Sequence, residues 1–398
     1  MLIRLLFCLL LATGTVHAQD RVPLLNPAFS NAVEASLYKT FEELGQKGLK
    51  RALSEIDGVL VRNPNFRLGH MIRGDLLMAQ SGSPVAFGDK QMLADASAPL
   101  RHEARVRMER YFDGPPLHFL PKSLVAFAPK QPYALLVDTD KHRLFVFRNQ
   151  SGEPHLVADY YVSEGKKGID KLREGDQKTP LGVYQVTSTV PKNKLSDLYG
   201  AGAFPISYPN EWDRLKGRNG SGIWLHGTPS DTYSRPPLAS DGCVVLTNDD
   251  FESLTRYIDV GSTPVVITSR IEWQEPERWK LDKEDFESSF SQWRKDWESL
   301  DVERYLAHYS SRFVSGRQDY DSWTSRKRSV AAGKSHIKVA ISDFSAFNFH
   351  GGNDSEPYMV VTFVQDYKSN NLNNKMKKRQ YWAREDGLWK IVYETSAT

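Results

Sequence analysis

The stretch "YALLVDTDKHRLFVF", residues 133–147, constrains this chain most. Two runs of aliphatic, β-branched and aromatic residues flank the polar turn Asp138–His142, the pattern of a β-hairpin. An isolated hairpin is marginal in water, so these strands need further strands or a helix to cover them. "TPLGVYQVTS" and "TPVVITS" read as such strands, and the loops between them are rich in Gly, Pro, Asn and Ser. Residues 119–270 therefore read as one β-rich unit. Within it "GRNGSG" (217–222) reads as a turn before the strand "IWLHG". A phosphate-binding loop would need a strand–loop–helix setting and a following Lys-Ser/Thr pair, and neither is present.

The flanks have a different period. Leu49, Leu53, Ile56 and Leu60 line one face of a helix, "RNPNF" breaks it, and Leu68, Met71, Ile72, Leu76 and Ala79 form a second stripe. This pair resembles a single tetratricopeptide unit, but no second copy follows, so a solenoid is not expected. A third helix, "LRHEARVRMERYF", carries Arg101, Arg105, Arg107 and Arg110, which are expected on a solvated face. After the β-rich unit, "EWQEPERWKLDKED" reads as a charged linker, placed at 271–282. Beyond it Phe286, Phe290, Trp293, Trp297 and Leu300 form a strongly apolar helix face. Asp301 is a cap for the next helix, and four long strand-like runs follow, the last two joined at Asp386-Gly387. Helices followed by antiparallel strands make residues 283–398 an α+β domain that resembles an NTF2-like domain, and that resemblance implies a separately folding unit with its aromatic helix buried on its own sheet around a pocket. The run "KMKKR" (375–379) reads as a solvated turn.

The first residues, "MLIRLLFCLLLATGTVHAQD", have the pattern of a secretory leader, 1–18, cut after Ala18. Its apolar run is far short of the ~20 residues that span a bilayer, and no later segment is apolar enough. Export to a periplasm or wall compartment is expected, with no stable membrane anchor. A net charge of +3 is close to balance and argues against a nucleic-acid partner. Removal of the leader takes Cys8 with it and leaves Cys243 as the single cysteine. In an oxidising compartment cysteines usually pair. A lone one is a reactive thiol, half of an intermolecular bridge, or a small buried hydrophobe.

The neighbours of Cys243 favour reactivity. His226 ends the strand "IWLH", and Cys243 follows Gly242 and opens the apolar run "VVL". A thiol nucleophile needs a nearby base, and a glycine beside it lets backbone N–H groups approach a substrate carbonyl as an oxyanion hole. His226 as base, Cys243 as nucleophile and Gly242 as backbone donor would make a thiol acyl-transfer site. Tyr233, Ser234, Arg235 and Pro236-Pro237 read either as a lid or as a rigid surface loop. Arg235 and Tyr233 are candidate substrate contacts, since an arginine fork suits a carboxylate. Ser240 is a further candidate contact, or a support for the cysteine turn. Asp176 and Lys178 are expected to shape a loop. A single cysteine and scattered histidines give no metal-ligand spacing, and no cofactor is expected.

"HGTPSDTYSRPPLASDGC" resembles the signature of the L,D-transpeptidase (YkuD) catalytic domain: a histidine, a loop of this length, then Ser/Thr-His-Gly-Cys. His226, Ser240, Gly242 and Cys243 match it. "EGDQKTPLGVY" (174–184) resembles the family's Gly-Asp-x-x-Thr-Pro-x-Gly-x-Tyr segment, and the hairpin resembles its opening. The C-terminal stretch resembles the NTF2-like domain that follows some of these domains. The resemblance implies an α+β chain: a helical region (19–118), a β-rich YkuD-type domain (119–270) and an NTF2-like domain. It implies an exported enzyme in which Cys243 attacks the L-to-D bond of peptidoglycan stem tetrapeptides. The Gly227 carbonyl matches the place that orients His226. The acyl group would pass to an amine, including one on a wall-anchored protein, or to water. Two positions depart from the pattern: Asp241 replaces the histidine before Gly-Cys, and Val245 stands where Asn or Arg is common. An anion at 241 should raise the thiol pKa. Three readings remain: an L,D-transpeptidase, an L,D-carboxypeptidase or endopeptidase of the same fold, and a non-catalytic wall-binding scaffold. The order His-before-Cys disfavours papain-type and NlpC/P60-type peptidases.

Overall fold

The expected hairpin forms two interior strands of a five-stranded sheet. A computed structural model describes residues 31–81, 90–116, 118–349 and 356–397; the leader and the first residues of the helical region lie outside them. Tyr133–Asp138 and Arg143–Gln150 pair antiparallel, and the Asp138 carboxylate closes the turn by accepting from the Asp140 and Lys141 N–H groups. Around this hairpin a five-stranded sheet runs in the order Glu153–Tyr161, Arg143–Gln150, Tyr133–Asp138, Pro264–Thr268, Gly182–Gln185. Leu135, Leu136, Val137, Leu144, Val146, Val265, Val266 and Ile267 are fully buried, which explains why these strands read as continuous apolar runs rather than alternating ones. A second sheet of four strands, in the order Val244–Val245, Trp224–His226, Gly202–Pro205, Val190–Pro191, carries the site.

The N-terminal helices Ala32–Gln46, Leu49–Arg62, Arg67–Ser81 and Lys90–Phe112 bury the two predicted stripes in one cluster, with Ile56, Leu60, Leu68, Ile72 and Leu76 inside it. The arginine helix corrects the expectation of a wholly solvated face. Arg101 and Arg105 are exposed, but Arg107 and Arg110 are buried. Arg110 donates to Asp159 (2.6 and 3.0 Å), and Arg107 donates to Glu34 (2.9 Å) and Glu103 (3.0 and 3.1 Å). Arg143 bridges Glu34 and Asp159. Three arginines and three carboxylates thus tie the helices to the hairpin, each buried charge meeting its opposite.

The stretch expected as a charged linker is not a linker. Trp273–Gln274 pairs with Leu120–Pro121, and one unbroken helix runs Pro276–Glu298. Its Trp279 is buried and donates to the Leu124 carbonyl at 2.9 Å. The six-stranded C-terminal sheet has the order Tyr309–Val314, Leu388–Ser396, Asn373–Glu385, Tyr358–Ser369, Ile337–Phe349, Leu124–Ala126. Its last strand comes from the N-terminal edge of the β-rich unit. The aromatic helix face packs as expected, with Phe286, Phe290 and Trp293 against Phe363 and Trp382, and Asp301 caps the following helix. Near Trp297, Tyr305 and Tyr367 a cavity of about 330 Å³ opens. The other face of the sheet lies on the β-rich unit: Trp212 stacks on Tyr381 (4.6 Å, 13°), and Glu211 accepts from Arg379 and Tyr381. "KMKKR" is therefore no solvated turn. It lies within the Asn373–Glu385 strand, with Arg379 on Glu211 and Lys378 on Glu394 (2.6 Å).

Candidate active site

Strand register brings His226 and Cys243 together. Trp224–His226 runs parallel to Val244–Val245, with Leu225 opposite Val244 and His226 opposite Val245. Side chains alternate along a strand and paired residues share a face. Leu225 and Val244 fill the core, so His226, and Cys243 two residues before Val245, belong to the other face.

Each group is fixed locally. The His226 ring is buried, and its Nδ1–H donates to the Gly227 carbonyl at 2.7 Å, which leaves Nε2 unprotonated in the neutral ring. Tyr199 lies edge-on to that ring at 5.0 Å and against Trp224 at 4.7 Å. Burial, with a smaller push from Arg235, lowers the imidazole pKa to about 4. Cys243 is partly exposed, and its thiol donates to the Gly222 carbonyl at 3.3 Å. Burial raises the thiol pKa to about 11; Asp241 adds to the rise, while the Trp224 backbone, Arg235 and Lys171 oppose it. At neutral pH the pair rests as thiol and neutral imidazole.

The turn before the cysteine requires glycine. Gly242 has φ 124°, and a Cβ there would lie 2.6 Å from the Lys178 carbonyl oxygen. Ser240 Oγ donates to the Cys243 carbonyl (2.6 Å) and accepts from the Gly242 N–H (3.0 Å), so Ser240 supports the turn rather than facing substrate. That bond also corrects the assignment of Gly242 as an oxyanion donor, because its N–H is already engaged. The Cys243 N–H makes no hydrogen bond among the described residues and is the amide free for that role.

Two residues that the motif left without a task complete the frame. Thr179 Oγ1 accepts from the Gly165 N–H (2.9 Å) and donates to the Gly242 carbonyl (3.0 Å), tying "KTPLG" to the cysteine turn. Asn248 accepts from the Ala201 N–H (2.8 Å) and donates to the Thr228 carbonyl (2.9 Å), bracing the chain just after His226. A Cβ on Gly227 would strike that amide oxygen at 2.2 Å, so the histidine's neighbour is also held to glycine. Asp176 shapes its loop as expected, accepting from Leu172, Arg173 and Lys178 N–H groups and from Lys171 Nζ; these bonds hold its pKa at about 2. Arg235 is half-buried with its charge felt at both Cys243 and His226. The Tyr233 ring packs edge-on against Phe66 of the N-terminal helices at 4.9 Å.

A thiol, an oriented neutral imidazole and a free turn amide form the constellation that acyl transfer needs. Residues 132–267 match the family model of the L,D-transpeptidase catalytic domain, YkuD. The chain carries an L,D-transpeptidase catalytic domain. Residues 285–395 match the model of the Cds6 C-terminal NTF2-like domain. The putative L,D-transpeptidase YafK of Escherichia coli K12 is 25% identical over 129 residues, 32% of this chain. The match spans 47% of that relative, about half its length. Among solved structures, Bd1075 of Bdellovibrio bacteriovorus is 29% identical with a TM-score of 0.61, over 70% of this chain and 98% of that one. The helical cell shape determining protein Pgp2 of Campylobacter jejuni is 23% identical with a TM-score of 0.58, over 69% and 95%, a likeness of fold.

The two departures from the L,D-transpeptidase pattern have visible settings. Asp241 is exposed and turns to Lys166 Nζ (2.8 Å) and Gln177 Nε2 (3.2 Å). Val245 is buried, and its backbone exchanges two hydrogen bonds with Ser163.

Proposed function

We propose that this chain is an exported cysteine acyltransferase that acts on the L-to-D peptide bond of peptidoglycan stem tetrapeptides. The observation that carries the reading is the His226–Gly227 hydrogen bond, which frees Nε2 as a base on the strand face that Cys243 shares. Cys243 Sγ attacks the carbonyl carbon of the L-centre as its proton passes to His226. The oxyanion accepts from the Cys243 N–H. The C–N bond then breaks, His226 returns the proton to the departing amine of the D-residue, and a thioester remains. The Arg235 guanidinium pairs with the free carboxylate of that D-residue.

The thioester is resolved by an amine, giving a cross-link or a wall-attached protein, or by water, giving a trimmed tripeptide. The second course is supported by the domain order, because the resemblance implies that family members with an NTF2-like domain after the YkuD domain favour water. Incubation of the purified protein with disaccharide-tetrapeptide separates the readings by product mass. Cross-linked dimers indicate an amine acceptor and tripeptide indicates water. Unchanged substrate with a folded protein sinks both and leaves the scaffold reading.

A further inference from the structure

The loop 228–237 runs from the His226 strand toward the Cys243 turn, and two consecutive residues of it are held from outside, Ser234 by the N-terminal helices and Arg235 by the Glu153–Tyr161 strand. Ser234 Oγ donates to Glu103 Oε1 at 2.7 Å, both side chains buried. The Arg235 carbonyl accepts from the Tyr161 hydroxyl at 2.8 Å. Behind both stands Arg107. It donates twice to the same Glu103 oxygen, and its guanidinium lies 3.9 Å from the centre of the Tyr161 ring. Its remaining nitrogen donates to Glu34, which Arg143 also holds. The backbone of Arg235 is thus fixed on both sides through one buried arginine of another region. The Arg235 guanidinium itself makes no hydrogen bond among the described residues, and it is half-buried within electrostatic reach of the thiol.

We propose that the N-terminal helical region is a positioning element of the active site: Glu103 and Arg107, through Ser234 and Tyr161, aim Arg235 at the free carboxylate of the departing residue. The region therefore sets selectivity for peptides that end in a carboxylate. This rests on the acyl-transfer reading above. A fixed guanidinium discriminates because it meets the carboxylate without first paying to order itself. A loosened one still carries charge but recognises the carboxylate less well.

The test compares disaccharide-tetrapeptide with its C-terminal carboxamide in the full chain. The wild type is expected to prefer the carboxylate. Ser234→Ala and Tyr161→Phe, each removing one hydroxyl, should lower that preference by about 10-fold, within the range a small misplacement costs. The loss should appear in KM for the carboxylate. The carboxamide rate and the alkylation of Cys243 by iodoacetamide should not move, and Ser234→Thr, which keeps the donor, should restore the preference. An unchanged preference in a folded Ser234→Ala protein overturns the proposal. So does an equal loss for both substrates, which marks a merely structural role. Should Ser234→Ala fail to fold, Tyr161→Phe decides alone. A wild type that turns over neither substrate sinks the acyl-transfer reading itself, and a wild type indifferent to the carboxylate sinks Arg235 as its partner.

Discussion

Cys243 and His226 rest uncharged because desolvation, of a partly exposed thiol and a buried ring, disfavours each one's charged form. A thiol held at about 11 should react with iodoacetamide roughly tenfold faster for each pH unit above neutrality, since only thiolate attacks. A rate that levels off below pH 8 would reveal a preformed thiolate instead. The base has the opposite displacement. With its folded pKa near 4 and its ordinary value 6.5, His226 binds fewer protons in the folded state. The stability tied to its neutral form is therefore present above pH 6.5 and is lost as pH falls through about 4. Turnover should show its acid limb near that lower value, and an acid limb close to 6.5 would mean the ring is less buried. Gly242→Ala places a methyl group against the Lys178 carbonyl at positive φ, so we expect about 1–3 kcal/mol of destabilisation and a displaced Cys243. Thermal melting and thiol alkylation measure the two effects separately.

At the scale of elements, the site is two parallel strands plus the loops that brace them. "EGDQKTPLGVY" was recognisable as a motif, but its work was not. Thr179 is a single hydroxyl that joins a loop to the Gly242 carbonyl 63 positions away. Thr179→Val keeps the shape and removes the bond, leaving the Gly165 N–H and Gly242 carbonyl without it. The expected cost is about 1–3 kcal/mol with a larger fall in kcat than in substrate affinity, read from melting and steady-state kinetics. A Thr179→Val enzyme with wild-type kcat would show that the turn holds itself. The arginine helix was legible as a helix, not as a partner. Its spacing shows which residues share a face, but the acids that meet Arg107 and Arg110 lie on the first helix, on its own preceding turn and on a distant strand.

At the scale of the whole molecule, the NTF2-like domain is joined to the catalytic domain by more than a tether. The Leu124–Ala126 strand completes its sheet, Trp279 lies buried at the junction, and one apolar cluster includes Leu225 and Val244 as well as Tyr381 and Val392. Removing 283–398 should therefore expose Trp212 and Leu124 and give an aggregating product rather than a smaller active enzyme. Calorimetry of the full chain should show the two domains melting in one transition. Two well-separated transitions, or a soluble truncation that alkylates normally, would contradict this. At the other end, Arg143→Met strands Glu34 and Asp159 against fewer cations. It should destabilise the fold by about 3–5 kcal/mol, measured by denaturant titration.

The sequence by itself determined what depends on near neighbours: the hairpin, the helix stripes, the order of the domains, and a histidine followed by a cysteine behind a glycine. Those signals are periodicities and short spacings, and local physics is enough to read them. Only the tertiary structure decided which N–H remains free for an oxyanion, that Tyr233 faces the helices, and that the charged stretch at 271–282 belongs to a strand and a rigid helix. The first turns on a local bend, Ser240 folded back on Gly242, and the other two on partners far away in the chain, Phe66 against Tyr233 and Leu124 on Trp279. Such pairings follow from how sheets and helices pack, and a charged surface pattern looks alike whether it ends in water or in a buried carboxylate.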